Sequence, residues 1–167
     1  MSPNRPERGE DAGPTGAAER PVMPRKTPVT DMAQVQAQLD QLLAHCRRRR
    51  VGMALLRVSI ERVSLPGASV GTSMEQRVRQ EVANRIGNAV RGSDAILRES
   101  DRETCVVLPG ADGVIAGRVA RRLERLVNGD YCVAGKLLQV AVSLGAAVHP
   151  DDGARTSELL SKAAQRD

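Results

Sequence analysis

The stretch RGSDAILRESDRETCVVLP, residues 91–109, decides how this chain folds. Two short apolar segments at residues 95–99 and 104–108 flank a polar break. Apolar runs separated by a few polar residues are typical of two strands joined by a tight turn. Residues 91–94, before the first strand, place an arginine and an aspartate three positions apart. The stretch therefore predicts a β-hairpin with charged residues at its entrance and at its turn.

Apolar periodicity on both sides of this hairpin predicts an α/β protein. Repeats of three or four residues indicate helices at residues 31–50, 73–90, 111–127 and 157–164. Alternation indicates a half-buried strand at residues 53–60 and a second hairpin at residues 131–133 and 137–148, turning around Gly135 and Lys136. Strands and helices in this order predict a mixed sheet with helices packed on it.

Short local motifs predict where the helices begin and end. Asp31 with Gln34, and Ser73 with Gln76, have the spacing of a capping box. Gly92 suits the left-handed residue that often follows a helix.

Composition predicts one domain and a tail. A chain of 167 residues with 41% hydrophobic content can build one core, which must be aliphatic because Tyr131 is its single aromatic residue. Residues 1–28 hold six of the nine prolines and few apolar residues that could anchor a fold. We therefore expect a disordered tail at residues 1–28 and one domain at residues 29–167.

Charge and cysteine usage exclude several classes of function. The net charge of +5 and the run Arg47 to Arg50 suit an anionic partner. Cations in a last helical turn also complement the helix dipole, and no second basic cluster accompanies them, so nucleic acid is a disfavoured partner. Three cysteines without a CxxC spacing argue against a disulfide framework or a zinc site. No apolar run is long enough for membrane insertion, so we expect a cytoplasmic protein.

The order of these motifs resembles the GGDEF family of diguanylate cyclases. RGSD at residues 91–94 matches the family's RxxD motif, and SDRET at residues 100–104 stands in the place of GGDEF. VAVSLGAA at residues 140–147 is similar to the family's VTVSIGVA. The resemblance covers residues 51–164 and implies an α+β palm with a ferredoxin-like core. Its central sheet would be mostly antiparallel, with about five strands surrounded by helices.

The resemblance implies that catalysis has been lost. The family condenses two GTP molecules into cyclic di-GMP with magnesium, an ion that prefers carboxylate oxygens. Ser59 stands at the family's metal-binding aspartate and Arg102 at the acidic third position of GGDEF, while Gly67, Gln76 and Ser64 replace the guanine and phosphate ligands. The degenerate catalytic positions are Ser59, Gly67, Gln76, Ser100, Asp101, Arg102, Glu103 and Thr104. The implied protein is a pseudoenzyme without a metal cofactor.

The resemblance also implies a ligand site that remains. In the family, RxxD is a product-inhibition site for cyclic di-GMP. Arg91 can donate paired hydrogen bonds to guanine or phosphate, and Asp94 can accept from guanine N–H groups. A count without gaps places the family's third contact at Arg122, with Arg118 as a helper. The implied function is a non-catalytic cyclic di-GMP receptor that signals through an unknown protein partner, with homodimerisation as one outcome of binding.

One other interpretation stays open. Arg91 and Asp94 can be a helix-end cation and a capping carboxylate, and Arg122 can belong to a solvated helix face. The domain would then be a ligand-free scaffold for protein–protein contact.

Overall fold

The computed structural model describes residues 32–165, in which a five-stranded sheet carries two helices on each face. The elements are α1 (Met32–Arg48), β1 (Met53–Ser64), α2 (Thr72–Ala89), β2 (Ala95–Arg98), β3 (Glu103–Pro109), α3 (Gly113–Val127), β4 (Gly129–Val133), β5 (Lys136–His149) and α4 (Thr156–Ala164). The strand order is β2-β3-β1-β5-β4, and every neighbouring pair is antiparallel. The predicted fold class, an α+β palm on an antiparallel sheet, is confirmed.

The central strand β1 is buried on both faces. Leu56 and Val58 face α2 and α3, whereas Leu55 faces α1 and α4. The prediction of a half-buried strand was wrong, because helices cover both sides of the sheet and residues 53–56 are all buried. Alternation still assigned the two faces correctly.

Two aliphatic cores result from this layering. The larger core lies under α2 and α3 and includes Val78, Val82, Ile86, Leu123 and the fully buried Tyr131. The smaller core lies under α1 and α4. Tyr131 donates a hydrogen bond from its hydroxyl to the Val127 carbonyl at 2.7 Å, which satisfies the one polar atom of this buried ring.

Both predicted hairpins are present. β2 pairs with β3 from Ala95 opposite Val107 to Arg98 opposite Thr104. The second hairpin turns at Ala134 and Gly135, both with positive φ, as a tight two-residue turn requires. Lys136, expected in the turn, is instead the first residue of β5.

Several predicted helix ends were wrong. Ser73 lies inside α2, whose N-terminal cap is the extended Gly71 and carries no side-chain hydrogen bond. α2 ends before Gly92, which has no positive φ; the chain leaves the helix through an extended Val90. Asp31 and the predicted tail at residues 1–28 lie outside the described residues.

Apolar spacing in α3 predicts a buried stripe of Ile115, Val119, Leu123 and Val127, and the structure corrects one of these positions. The helix begins at Gly113, because the Asp112 carboxylate accepts a hydrogen bond from the Ile115 N–H at 2.9 Å. Ile115 is 41% exposed, and Ala116 takes the buried position instead, together with Leu123 and Val127. The outer face of α3 is therefore free to present arginines.

Candidate functional site

The four-residue edge strand β2 has a charged turn at each end. Residues 91–94 connect α2 to β2, and residues 99–102 connect β2 to β3. We name the first turn the RGSD corner and the second the hairpin turn. The RGSD corner contains Arg91 and Asp94 of the predicted ligand site, and the hairpin turn contains Ser100, Asp101 and Arg102 of the degenerate catalytic positions.

The RGSD corner is closed by two hydrogen bonds between its first and last residues. The Asp94 N–H donates to the Arg91 carbonyl at 3.0 Å, and the Arg91 N–H donates to Asp94 Oδ2 at 2.8 Å. This carboxylate is half-buried, whereas the Arg91 side chain is exposed. The local geometry therefore points the arginine into solvent beside a fixed acceptor.

Arg122 reaches the same corner from α3. Its Nη2 donates to the carbonyl of Ala89, the last residue of α2, at 2.5 Å. A helix end leaves such carbonyls without intrahelical partners, so the contact joins the two helices. Arg118, one helical turn earlier on α3, is exposed.

The electrostatics of Asp94 show that these residues act on one another. Burial raises the pKa of the Asp94 carboxyl, while the Arg91 N–H and the charges of Arg91 and Arg122 oppose that rise. The structure thus brings together the three residues that sequence analysis selected. Within residues 32–165, the guanidinium groups of Arg91 and Arg118 have no hydrogen-bond or ion-pair partner.

The hairpin turn is organised by Ser100. Its Oγ accepts from the N–H groups of Arg102 at 3.2 Å and Glu103 at 3.1 Å. The Glu103 carbonyl accepts from the N–H groups of Glu99 at 2.9 Å and Ser100 at 3.2 Å. The Ser100 side chain therefore fixes the backbone of the turn by accepting hydrogen bonds from two of its N–H groups.

Arg102 turns back from the hairpin turn onto neighbouring elements. Its Nη2 lies 2.6 Å from Glu75 Oε1 on α2, and its Nη1 donates to the Ile60 carbonyl of β1 at 3.3 Å. Arg79 contacts the same Glu75 oxygen at 2.7 Å and Asp101 Oδ2 at 3.3 Å. Two guanidinium groups and two carboxylates thus form one neutral network.

A second charged cluster lies on the opposite face of the sheet. Arg57 contacts Glu99 at 2.8 Å and Glu103 at 2.7 Å, and the Glu99 side chain is only 2% exposed. Ser59 Oγ donates to Glu103 Oε1 at 3.5 Å. The Cys105 thiol donates to Glu99, and burial followed by the charge of Glu99 raises the pKa of that thiol. The Glu103 carboxylate is therefore paired with a cation of the protein itself, Arg57.

Four members of these networks, Arg57, Glu75, Arg79 and Glu99, were not predicted from the sequence. Arg57 is linked to Glu103 across 46 positions and Arg102 to Glu75 across 27, separations that no local motif spans. Two signals were usable: Glu75 and Arg79 have the i,i+4 spacing of a helical ion pair, and Arg57 and Ser59 lie on the same face of the predicted strand. An arginine on a buried strand requires a carboxylate nearby.

The residues at the hairpin turn do not fit a magnesium ion. Ser59 offers a hydroxyl and Arg102 a cation where carboxylates would be needed. Across residues 32–165, no three His, Cys, Asp or Glu residues are grouped so that they could hold a metal ion. The positions expected to bind guanine are the exposed Gln76 and Gly67, a turn residue with φ of 77°.

Fold and motif order together define the class of this domain. Its antiparallel sheet, flanked by helices on both faces, places the RGSD corner and the hairpin turn at opposite ends of β2. The model of the GGDEF family, described as diguanylate cyclase, GGDEF domain, matches residues 25–166. The chain belongs to the GGDEF family.

Among curated proteins, the chain is similar to two from Pseudomonas aeruginosa. It is 27% identical over 123 residues to the cyclic di-GMP phosphodiesterase NbdA, covering 74% of this chain and 16% of the relative. It is 24% identical over 126 residues to the bifunctional diguanylate cyclase/cyclic di-GMP phosphodiesterase MucR, covering 75% and 18%. The chain therefore spans less than a fifth of the length of either relative.

Solved structures share the fold. The GGDEF domain of FimX from Pseudomonas aeruginosa superposes with a TM-score of 0.68 at 15% identity, covering 84% of this chain and 90% of that one. An EAL/GGDEF domain protein from M. capsulatus gives a TM-score of 0.63 at 26% identity, covering 79% and 86%. In residues 32–165, no helix has the length and apolar character needed to cross a bilayer.

Proposed function

We propose that this domain is a non-catalytic cyclic di-GMP receptor that binds the dinucleotide at the RGSD corner. Arg91 and Asp94 are the principal contacts, with Arg122 and Arg118 completing the site. Binding orders or dimerises the domain and alters its contact with a protein partner. No metal cofactor takes part.

The observation that carries this proposal is the unpaired cationic surface of the corner. Arg91 and Arg118 expose guanidinium groups without protein partners in residues 32–165, and the half-buried Asp94 carboxylate is bonded to the Arg91 N–H. A guanine dinucleotide presents ring acceptors and phosphates to arginine and N–H donors to aspartate. The charges of the corner are thus complementary to this ligand.

The proposed loss of catalysis is supported by the opposite arrangement at the hairpin turn. Arg102 and Arg79 occupy the carboxylates of Glu75 and Asp101, and Arg57 occupies that of Glu103. Magnesium would meet cations rather than free oxygens there. The two curated relatives are named for making or hydrolysing cyclic di-GMP, and these names support cyclic di-GMP as the ligand.

Titration calorimetry with cyclic di-GMP tests the proposal. We expect saturable binding by the wild-type chain and binding about 100-fold weaker by Arg91→Ala, while Arg77→Ala, an exposed arginine near the start of α2, binds like wild type. Incubation with GTP and magnesium should give no cyclic di-GMP. Absence of binding at high micromolar ligand would overturn the receptor function, and product formation would overturn the loss of catalysis.

A ligand-free scaffold is the second candidate, and one observation favours it. Asp94 already caps the Arg91 N–H, and Arg122 already holds the Ala89 carbonyl, so both have structural roles. A scaffold would bind its protein partner equally well with or without cyclic di-GMP. Arg91→Ala would leave that complex intact, whereas the receptor function requires a ligand-dependent change in the complex.

A further inference from the structure

The Arg102 guanidinium lies among oxygen atoms of the kind that bind divalent cations. A carboxylate oxygen of Glu75 and the carbonyl oxygen of Ile60 are 2.6 Å and 3.3 Å from its nitrogens. Carboxylate and main-chain carbonyl oxygens are hard ligands suited to magnesium or manganese. We propose that Arg102 is an internal cation that replaces a divalent metal ion at the hairpin turn.

The backbone holds the Ile60 carbonyl oxygen in place independently of the Arg102 side chain. The Ile60 N–H donates to the Arg102 carbonyl at 2.8 Å, so β1 and the hairpin turn are joined through main-chain atoms. β1 also changes register against β5 between Ile60 and Arg62. Such an irregularity re-aims backbone groups at one point of a strand. Removing the guanidinium therefore leaves the Ile60 carbonyl where it is.

Charge balance explains why the wild-type turn rejects a second cation. The network of Arg102, Arg79, Glu75 and Asp101 is neutral, and Arg57 neutralises part of the charge on Glu103. A divalent ion would add two positive charges without a free carboxylate to receive them. Replacing Arg102 with alanine gives the network a charge of −1, and replacing it with aspartate gives −2.

The solvent exposure of the Arg102–Glu75 ion pair indicates whether Arg102 acts mainly on folding stability or on cation binding. Its side chain is 45% exposed and that of Glu75 is 22% exposed. Ion pairs at such sites add little to folding stability because solvent screens them. The main effect of Arg102 is therefore on cation binding, and its removal should leave the fold intact.

Under this proposal, the side chains of Glu75 and Arg102, and not a metal ion, join α2 to the hairpin turn. Glu75 lies in the first turn of α2, and Arg102 connects it to both the turn and β1. This connection makes no use of Arg91, Asp94 or Arg122. The inference is thus independent of cyclic di-GMP binding.

Manganese binding followed by electron paramagnetic resonance tests the inference on three proteins. These are wild type, Arg102→Ala, and the double variant Ser59→Asp/Arg102→Asp. An aspartate at position 59 would lie beside Glu103, because Ser59 Oγ is 3.5 Å from Glu103 Oε1. Arg48→Ala, an exposed arginine at the end of α1, is the charge-matched control. Circular dichroism verifies that each variant is folded.

We expect no manganese binding by wild type or Arg48→Ala, weak binding by Arg102→Ala, and the tightest binding by the double variant. In thermal unfolding, about 10 mM magnesium should raise the Tm of the double variant by about 5 °C and leave that of wild type unchanged. Manganese binding by wild type would overturn the inference. So would its absence from a folded Arg102→Ala, a result that leaves cyclic di-GMP binding at the RGSD corner unaffected.

Discussion

The RGSD corner and the hairpin turn flank the same short strand, yet they use arginine in opposite ways. At the corner, the guanidinium group of Arg91 extends into solvent beside the half-buried Asp94 carboxylate, and that of Arg118 on α3 is also exposed. At the hairpin turn, the guanidinium groups of Arg57, Arg79 and Arg102 contact carboxylates of the protein itself. Free guanidinium groups are available to a ligand, whereas paired ones are engaged by carboxylates of the protein. Substitutions should therefore affect binding at the corner, and at the turn they should affect stability most where the ion pair is buried, as at Glu99.

The largest effect on stability is expected from Glu99→Ala. This change leaves Arg57 with one partner instead of two and removes the acceptor of the Cys105 thiol in a site where Glu99 is 2% exposed. We expect a loss of about 3 kcal/mol in the free energy of unfolding, measured with urea. Glu124→Ala, on the exposed face of α3, should lose less than about 0.5 kcal/mol. Equal losses in the two variants would contradict a structural role for the turn's charges.

The largest effect on binding is expected from Arg91→Ala. Loss of paired donors to guanine or phosphate should weaken cyclic di-GMP binding by about 100-fold, while the urea midpoint stays close to that of wild type. A variant that loses stability in proportion to affinity would show that Arg91 is part of the folded framework. The corner would then resemble the hairpin turn.

Acid should weaken binding at the corner through Asp94. Burial raises the pKa of this carboxyl, so it takes up a proton at a higher pH than an ordinary aspartate does. Above that pKa the carboxylate accepts guanine N–H groups, and below it the acceptor charge is lost, so affinity should fall as pH decreases. Calorimetric titrations at several pH values check this, and Asp94→Asn should bind weakly with a flatter profile. Affinity that rises in acid would exclude Asp94 as an acceptor.

The same shift of the pKa has a consequence for folding. Because the folded-state pKa of Asp94 is above its unfolded value, the folded protein binds the proton more tightly. The contribution of Asp94 therefore favours folding below the unfolded pKa and is lost as pH rises through the folded pKa. Asp94→Asn should remove this part of the pH dependence of urea unfolding. The Arg91 N–H and the charges of Arg91 and Arg122 oppose the rise in the Asp94 pKa, so they limit the size of this contribution to folding.

The smallest effect is expected from Ser100→Ala. The substitution removes the acceptor for the N–H groups of Arg102 and Glu103, which are near solvent and can bond to water instead. We expect a loss of about 1 kcal/mol in urea unfolding, with cyclic di-GMP affinity unchanged. A change in affinity would show that the two ends of β2 are coupled.

Much of the fold could be predicted from the sequence because its signals are local. The β2–β3 hairpin, the alternating faces of β1 and the apolar positions of α2 all follow from spacing within a few residues. Predictions failed where tertiary contacts decide the outcome. Helices on both sides bury both faces of β1 at residues 53–56, and Arg122 of α3 satisfies the end of α2 that Gly92 was expected to close.

The candidate site likewise contains residues that could be predicted from the sequence and ion pairs that could not. Arg91, Asp94 and Arg122 were selected by a resemblance to a family motif, and the structure brings them together. Except for Glu75 and Arg79, which are four positions apart on α2, the ion pairs of the hairpin turn link residues up to 46 positions apart, so they became visible only in three dimensions. Arg102 was identified as standing at the position of a lost metal ligand, but its contact with Glu75 could not be predicted.

Amide chemical shifts measured by NMR during a cyclic di-GMP titration test the central claim most directly, because both ends of β2 are observed in one experiment. We predict saturable shifts for residues 91–95 and 118–122, with the amides of residues 100–104 unchanged. Shifts confined to residues 100–104, or none at either end of β2, would contradict it.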